Sequence, residues 1–430
     1  MSGKDYTKMW KELGLNLENH AGLLGVLSKA YTDIYLSQKN RPKAMEYFDF
    51  VISEVHGLRI EEILNAKEAG RKVVGTFCVY VPEEIVLASD GVCIGLCAGA
   101  EVGFEEAEKF IPRNTCALIK AFMGFKLSGL CPYVESADLI VGETTCDGKK
   151  KAYESFNDIT GKVYVMEIPH MKNDEDRKLW LSEVKRFKNK MEELSGKKIT
   201  AQGLKKSASI VNAKRKALQR LSRLRGADPA PISGLDALLV NQVSFYDDPP
   251  RFTEMTNKLC DELDERVSNG MGVVAKGAPR ILISGSPMAI PNWKLHAIIE
   301  ESGAVAVGEE SCIGERNHRD LMDENFSSVD EAMEKLASRY LGIDCACFTP
   351  NTGRLDNIKA LTRSLHADGV IHYSLQFCTP YMMEAYRVEK AVSSNNGNGG
   401  VPFMRIETDY SMEDFGQLKT RVEAFIEMLK

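Results

Sequence analysis

Several motifs that assign a sequence to a common functional class are missing here. No GxxxxGK[ST] motif occurs, so the chain lacks a P-loop that would cradle nucleotide phosphates. No GxSxG elbow supports serine hydrolysis, and no pair of CxxC motifs supports a zinc ribbon. No apolar run approaches the roughly 18 residues that span a bilayer. ATP chemistry within this chain, serine hydrolysis, zinc-ribbon structure and membrane spanning are therefore not expected.

An excess of one charge is missing as well. Lys and Arg number 55, Asp and Glu number 61, and the net charge of −6 is mixed along the chain, which argues against a general nucleic-acid binder. The N-terminal residues MSGKDYTKMWKELG contain no apolar h-region of a secretory signal. We expect a cytoplasmic protein of two or three domains that binds neither nucleic acid nor membrane.

Cysteine, in contrast, is plentiful. Disulfides are rare in cytosolic proteins, so the 11 cysteines are expected to be thiols. Their dispersion indicates a site assembled by the fold and not by one local loop. They are Cys78, Cys93, Cys97, Cys116, Cys131, Cys146, Cys260, Cys312, Cys345, Cys347 and Cys378.

The stretch at 113–151 contains three of these cysteines in one supersecondary unit. Cys116 and Cys131 each precede a predicted helix, and Cys146 follows a predicted buried strand and precedes another helix. Ligands of open α/β sheets lie at the carboxyl ends of strands, and helix N-termini favour anions. A thiolate-held cluster is such an anion. Three buried, inert cysteines are the alternative interpretation.

Strand and helix signals alternate in two parts of the chain, which predicts an α/β fold with parallel sheets covered by helices. The predicted strands are Val73–Cys78, Val92–Cys97, Ala137–Thr145, Lys162–Glu167, Arg280–Ser284, Ala304–Glu309, Gly369–Phe377 and Val401–Glu407. The expected organisation is an N-terminal helical segment (1–70), a first α/β lobe (71–172), a helical linking region (173–278) and a second α/β lobe (279–430).

Two other segments carry composition signals. The linking region contains LKKSASIVNAKRKALQRLSRLR, whose apolar spacing predicts an amphipathic helix with a solvated basic face. A docking surface for an acidic partner is the alternative for that face. The run NNGNGG at 395–400 precedes a predicted strand instead of following one, so it is a turn and no dinucleotide-binding fingerprint.

The second lobe also presents cysteines where predicted strands end. Cys312 and Cys378 follow two of these strands, and DCACF is expected to place Cys345 and Cys347 at another strand end. If the lobes face each other, a cleft brings these cysteines together with those of the first lobe. The residues expected in the cleft are Cys116, Cys131, Cys146, Cys312, Cys345 or Cys347, and Cys378; those assigned to packing are Cys78, Cys93, Cys97 and Cys260.

Other titratable residues near strand ends are candidates for moving protons, although each also has an ordinary structural explanation. The lysines at 149–151 could offset the negative charge of a thiolate-held cluster. No catalytic residue is assigned from the sequence. The candidate proton carriers are His318, His372, Glu143, Glu309 and Glu310.

Five motifs carry a family resemblance. They are PRNTCALIK at 112–120, LCPY at 130–133, GETTCDGKKK at 142–151, SLQFC at 374–378 and IETDYS at 406–411. They resemble the cluster-bearing component of 2-hydroxyacyl-CoA dehydratases and benzoyl-CoA reductases. The similarity runs from about Val73 to the C-terminus and is closer still to the branch known as double-cubane cluster proteins.

The resemblance implies two Rossmann-like lobes with an oxygen-sensitive iron–sulfur centre between them, in a homodimer. It also implies a separate ATP-hydrolysing iron–sulfur activator as partner, which agrees with the missing P-loop. By motif, the single cubane of the family corresponds to Cys116, Cys146 and Cys378. The double-cubane branch needs three more thiolates, for which Cys131, Cys312 and one of Cys345 or Cys347 are candidates by position, with Cys347 favoured as nearer the predicted strand end.

Three functions follow from this resemblance. The first is an iron–sulfur reductase component with a double-cubane (8Fe–9S) cluster that reduces a small molecule with electrons from the activator. The second is a 2-hydroxyacyl-CoA dehydratase subunit with a single 4Fe–4S cluster. The third is an electron-transfer or cluster-carrying protein without its own substrate.

Overall fold

The computed structural model describes residues 3–393 and 400–430 and contains two four-stranded sheets in which every pairing is parallel. The first sheet has the order β2-β1-β3-β4 and the second β6-β5-β7-β8. The strands are β1 Val73–Thr76, β2 Val92–Gly95, β3 Leu139–Glu143, β4 Val163–Met166, β5 Arg280–Gly285, β6 Val305–Glu310, β7 Gly369–Leu375 and β8 Phe403–Thr408. The predicted α/β class with two Rossmann-like lobes is confirmed.

Helices surround and connect the sheets. The N-terminal ones are α1 Thr7–Glu12, α2 Leu17–Tyr31, a π-helical turn Thr32–Leu36, α3 Met45–Ser53 and α4 Leu58–Glu68. The first lobe has α5 Glu83–Ala88, α6 Phe104–Ala107, α7 Ala117–Leu127, α8 Pro132–Ser136 and α9 Asp147–Thr160. The linking helices are α10 Asp174–Ser195, α11 Ala201–Leu224, α12 Gly234–Val243 and α13 Pro249–Ser268. The second lobe has α14 Lys294–Glu301, α15 Glu315–His318, α16 Val329–Leu341, α17 Thr352–Ser364, α18 Thr379–Ser393 and α19 Phe415–Glu427.

The central strands form where the sequence is continuously apolar, because both faces of a parallel sheet are covered. All five residues of β3 and all seven of β7 are buried. The predicted strands extend one to two residues past several observed carboxyl ends. These extra residues, such as Phe77–Cys78 and Thr144–Thr145, leave the sheet and form the edge at which the site lies.

The predicted helix starts at the first-lobe cysteines are confirmed. Cys116, Cys131 and Cys146 are the N-cap residues of α7, α8 and α9, and Pro132 occupies the first turn of α8. In the second lobe Cys378 directly precedes α18. Four cysteines thus lie where backbone N–H groups lack partners within the helix.

The strand end predicted for Cys345 and Cys347 is wrong. Both residues lie in a loop between α16 and α17. Side chains, and not a neighbouring strand, satisfy this backbone: Tyr80 donates to the Ile343 carbonyl at 3.0 Å, and Asn351 donates to the Cys345 carbonyl at 2.9 Å.

The solvated basic face predicted for the linking region is also wrong in part. Lys214 and Arg215 of α11 are buried and bind Glu83 and Glu84 of the first lobe, while Arg225, just after α11, binds Glu309 of the second. Acidic partners lie within the chain, so these cations are not free for an external one. Helix α11 instead joins the two lobes through buried ion pairs.

Two further expectations concern the turn at 395–400 and membrane-spanning helices. The turn predicted at 395–400 falls almost entirely outside the described residues. Among the described helices none is long and apolar enough to cross a bilayer. The boundaries expected at residues 70, 172 and 278 stay predictions.

Candidate metal centre

A cavity of about 630 Å³ lies where the two sheets present their carboxyl ends to each other. Residues of both lobes and of the linking helix α12 line it. Eight of the 11 cysteines are among them: Cys78, Cys97, Cys116, Cys146, Cys312, Cys345, Cys347 and Cys378. The cleft between lobes expected from the sequence is therefore present, and most of its expected cysteines reach it.

The first-lobe cysteines lie at the position where this topology places ligands. In the order β2-β1-β3-β4 the connections diverge between β1 and β3, and ligands of open α/β sheets bind outside the carboxyl ends of strands at such a switch point. Cys78 follows β1 by two residues and Cys146 follows β3 by three. The strand order thus brings both thiols to one edge.

The second lobe repeats this placement. Cys378 follows β7 by three residues and Cys312 follows β6 by two. The chain leaves β5 through Gly285, whose φ of +128° and the 2.0 Å between an added Cβ and the Tyr373 carbonyl oxygen exclude any side chain. Ser286 follows and also lines the cavity.

Two sulfur–sulfur contacts join the lobes across the cavity. The Cys78 thiol hydrogen-bonds to the Cys312 sulfur, and this contact, despite burial, lowers the pKa of Cys312 and raises that of Cys78. The Cys378 thiol likewise hydrogen-bonds to the Cys116 sulfur, which lowers the pKa of Cys116. Thiols from opposite lobes therefore interact with each other in the cavity.

Cys345 and Cys347 differ in what they offer. Cys345 accepts a hydrogen bond from the Cys347 thiol, which lowers the pKa of Cys345 and raises that of Cys347. The Cys345 sulfur also lies 3.6 Å from the Tyr381 hydroxyl. The directions of these pKa shifts favour Cys345 over Cys347 as the thiolate.

Backbone N–H groups surround the sulfurs that cap helices. The Lys149 N–H donates to Cys146 Sγ at 3.4 Å, and the N–H groups of Leu118 and Ile119 point to Cys116. The backbone N–H of Tyr381 likewise points to the Cys378 sulfur. Such donors stabilise negative sulfur, because the positive end of a helix favours anions.

Lys149 is the lysine of the first lobe whose side chain lines the cavity. Its ammonium binds the Glu143 carboxylate, which is fully buried at the end of β3. Burial raises the pKa of Glu143, and Lys149 offsets this only in part. The lysines at 149–151 are expected to offset the charge of a cluster. Lys149 is the one in position to do so, since the other two do not line the cavity.

Three expectations about cysteines need correction. Cys131 does not line the cavity; it packs against two apolar clusters, and burial raises the pKa of its thiol to about 11. Cys78 and Cys97 are expected from the sequence to serve packing, but both line the cavity. The topology could have identified Cys78, because β1 borders the switch point. Cys260 is buried in a helix core as expected.

The expected proton carriers lie away from the cavity lining. His372 is buried in β7 with Nε2 bound to the Tyr381 carbonyl, and Glu309 is bound to Arg225. His318, Glu310 and Glu143 also do not line the cavity, so a proton-carrying role for these groups stays a prediction. The lining histidine is the exposed His170, which the sequence did not single out.

Phe377 is another lining residue that the sequence did not indicate. It is 45% exposed and has a φ of +64°, a conformation rare for a bulky residue. It directly precedes Cys378. A strained residue next to a candidate ligand is typical of functional sites, where the surrounding structure fixes the backbone.

No three His, Cys, Asp or Glu side chains in residues 3–393 and 400–430 converge on one point as ligands of a single metal ion would. The donors are nevertheless suited to an iron–sulfur cluster, because each thiolate of a cubane binds a different iron and the sulfurs need no common point. Cys97 does not fit this role, since its thiol donates to the Phe77 carbonyl at 3.0 Å and burial raises its pKa to about 12.

The cysteines described above all lie in the part of the chain that a family model covers. Residues 78–429 match the model of the 2-hydroxyglutaryl-CoA dehydratase D-component. The chain belongs to this family. Its cavity-lining cysteines all fall within the matched residues, whereas the N-terminal helices lie outside them.

Three individual relatives support this family assignment. YjiM of Escherichia coli K12, named as a dehydratase subunit, is 36% identical over 369 residues, which cover 85% of this chain and 94% of YjiM. The (R)-phenyllactyl-CoA dehydratase beta subunit of Clostridium sporogenes is 26% identical over 375 residues (85% and 94%). A benzoyl-CoA reductase subunit of Thauera aromatica is 23% identical over 375 residues (85% and 93%). The family is thus one of enzyme components.

Proposed function

We propose that this protein is an iron–sulfur reductase component with a double-cubane (8Fe–9S) cluster in the cavity between its lobes. The observation that carries the proposal is the convergence of thiols from both lobes on one buried cavity. The six proposed ligands are Cys78, Cys116, Cys146, Cys312, Cys345 and Cys378.

This set revises the one expected from the sequence. Cys78 takes the place of Cys131, because Cys78 lines the cavity and contacts Cys312 whereas Cys131 does neither. Cys345 is preferred to Cys347 because the contact between the two lowers the pKa of Cys345 and raises that of Cys347. Cys116, Cys146 and Cys378 remain, supported by the family motifs and by their helix-capping positions.

The count of six favours two cubes over one. A 4Fe–4S cube takes four ligands, so two cubes that share one bridging sulfide need three thiolates each. A bound centre of this kind supplies one-electron transfer at low potential. The chain's own contribution is to hold the sulfurs, to point backbone N–H groups at them and to exclude water with an apolar lining that includes Phe77, Ile119 and Ile313.

The cavity favours a small substrate. The proposed cluster and any substrate must share about 630 Å³. Phosphates of a CoA thioester are bound by Arg or Lys, yet within the described lining Lys149 is the sole Lys or Arg and it already binds Glu143. We propose that electrons come from an ATP-hydrolysing iron–sulfur activator, since the sequence lacks a P-loop, and that the protein works as a homodimer.

The second candidate is a 2-hydroxyacyl-CoA dehydratase subunit with one 4Fe–4S cluster. The names of the Clostridium sporogenes and Escherichia coli relatives favour it. Binding of a 2-hydroxyacyl-CoA thioester to the anaerobic protein, measured by calorimetry, separates the two candidates. The proposed reductase should bind no thioester, should hydrolyse no ATP alone, and should reduce a small substrate only when activator and ATP are both present; thioester binding with turnover to the enoyl product would replace it by the dehydratase.

A further inference from the structure

Two buried side chains, Arg316 and Tyr381, contact cysteine sulfurs of the second lobe. Arg316 of α15 directs Nη1 at Cys312 Sγ, 3.7 Å away, and at the Tyr381 hydroxyl. That hydroxyl lies 3.6 Å from Cys345 Sγ. Arg316 is 3% exposed and Tyr381 6% exposed. One buried cation and one hydroxyl therefore contact two sulfurs of the proposed ligand set.

The position of the Arg316 guanidinium is fixed from its other side. Its Nε donates to Glu310 Oε1 at 2.7 Å, and its Nη2 donates to the Gly285 carbonyl at 2.8 Å. Arg354 donates to the second oxygen of Glu310 at 2.8 Å, and its other end binds Glu384. The carboxylate and the carbonyl thus bind the Nε and Nη2 edges of Arg316 and leave Nη1 directed at the Cys312 sulfur.

The remaining sulfurs have a different environment. Cys116 and Cys146 accept backbone N–H groups, and in the described part of the chain no side-chain cation hydrogen-bonds to Cys116, Cys146 or Cys378. The Lys149 ammonium is bound to Glu143. Tyr381 links the two sets, because its backbone N–H serves Cys378 while its hydroxyl contacts Cys345.

Building on the proposed function, we propose that Arg316 and Tyr381 are positioning residues that make the two halves of the centre electrically unequal. The half that Cys78, Cys312 and Cys345 would hold would be the easier one to reduce, and the half that Cys116, Cys146 and Cys378 would hold would be the harder one. Reduction adds negative charge, and hydrogen bonds and positive charge next to cluster sulfurs raise the reduction potential. The step is one electron from a low-potential donor, with no bond made or broken.

The test is a redox titration of the anaerobic holoprotein with dithionite, followed by electron paramagnetic resonance. Wild type should show two separate one-electron steps. Arg316→Gln should lower the first midpoint so that the reduced-to-oxidised ratio at a fixed potential falls at least tenfold, which is about 59 mV for one electron. Tyr381→Phe should shift it in the same direction by less, and Arg316→Lys should restore part of the loss.

Arg225→Gln is the matched control. Arg225 is as buried as Arg316 and binds Glu309, the neighbour of Glu310 on β6, but within the described residues it donates to Glu309 and the Ala306 carbonyl and to no cysteine sulfur. Both midpoints should stay at their wild-type values in this variant. Equal midpoints in wild type and Arg316→Gln at equal iron content would overturn the proposal, as would an equal shift in Arg225→Gln.

Iron and acid-labile sulfide are measured first, so that the two proposals fail separately. Wild type with about four irons, one cube, overturns the double cubane and the inequality of its halves together. Wild type with about eight irons and unshifted variants overturns only the roles of Arg316 and Tyr381. If Arg316→Gln binds less iron because Glu310 loses one of its two arginine partners, Arg316→Gln/Glu310→Gln and Tyr381→Phe replace it, and unchanged midpoints in these overturn the proposal.

Discussion

The two lobes share one strand order, yet the side chains around their strand ends differ. Cys146 and Cys378 occupy equivalent positions, three residues after β3 and β7. However, β6 ends in Glu309 and Glu310, each bound to a buried arginine, whereas the corresponding strand β2 ends in Ile94–Gly95. Topology therefore places the sulfurs in both lobes alike, and lobe-specific charges decide what surrounds them.

This difference separates two kinds of substitution. Removing a sulfur should disassemble part of the proposed centre in either lobe. Removing a charge should matter mainly in the second lobe, where the side chains of Arg316 and Tyr381 contact the sulfurs of Cys312 and Cys345. The following predictions test that separation, from the largest expected effect to the smallest.

Cys146→Ala should remove about half of the bound iron and of the visible absorption of the proposed cluster, because it opens the cube that Cys116 and Cys378 also hold. Cys146 caps α9 at the switch point and lines the cavity. Cys131→Ala is the control, because Cys131 caps α8 in the same supersecondary unit but lies outside the lining. Anaerobic iron analysis and absorbance check both variants, and retention of wild-type iron by Cys146→Ala would contradict the assignment.

Cys78→Ala should remove about half of the bound iron, leaving roughly four of roughly eight per chain. The reason is that Cys78 and Cys312 belong to the same proposed cube, while the other trio is intact. This reverses the expectation from sequence that Cys78 serves packing. Cys260→Ala, a change at a buried thiol remote from the cavity, should leave the iron content unchanged. An equal iron content in Cys78→Ala and wild type would contradict the ligand assignment and show that Cys78 serves packing.

Much of the fold could be predicted from local signals. The apolar runs of β1, β3 and β7 indicated buried strands, and the helix starts after Cys116, Cys131 and Cys146 followed from capping chemistry. These signals act within a few residues of the chain, so a single sequence contains them. The helix starts at the motif-matched cysteines Cys116, Cys146 and Cys378 follow from such local signals as well.

The remainder depended on contacts between distant segments. The loop at Cys345 is held by Tyr80 and Asn351, and no local pattern distinguishes such a loop from a strand end. Lys214 and Arg215 of α11 are buried because Glu83 and Glu84 lie opposite them, more than 100 residues away in sequence. Cys131 was misplaced because an N-cap position fixes the backbone and not the direction of the site.

Arg215→Gln should destabilise the protein by about 3–5 kcal/mol, since it leaves the fully buried Glu84 without its partner. Arg215 also donates to the Tyr340 hydroxyl of the second lobe at 3.0 Å, so the contact between the lobes should loosen. Lys216→Gln on the exposed side of α11 should change stability by less than about 0.5 kcal/mol. Chemical denaturation measures both, and equal midpoints would contradict a joining role of α11.

Acid should weaken the second lobe through Glu309. Burial opposes ionisation of this carboxyl, but Arg225 and His296 hold the pKa of Glu309 at about 2. A lowered pKa in the folded state stabilises the fold above the ordinary value near 4.5, and this contribution is lost as the pH falls towards 2. The loss should be about 3 kcal/mol.

Denaturation of the iron-free protein across this pH range checks the prediction. Glu309→Gln should flatten the acid side of the profile. Glu143→Gln in the first lobe should not, because burial raises the pKa of Glu143 instead. An equally flattened profile in both variants would contradict the difference between the lobes.

The most direct measurement is the iron and acid-labile sulfide content of the anaerobic wild-type protein. Six thiolates from two lobes around one cavity predict about eight irons and about nine sulfides per chain, two cubes and one shared sulfide. About four of each would contradict the account, because a single cube would then leave Cys78, Cys312 and Cys345 without a metal to bind.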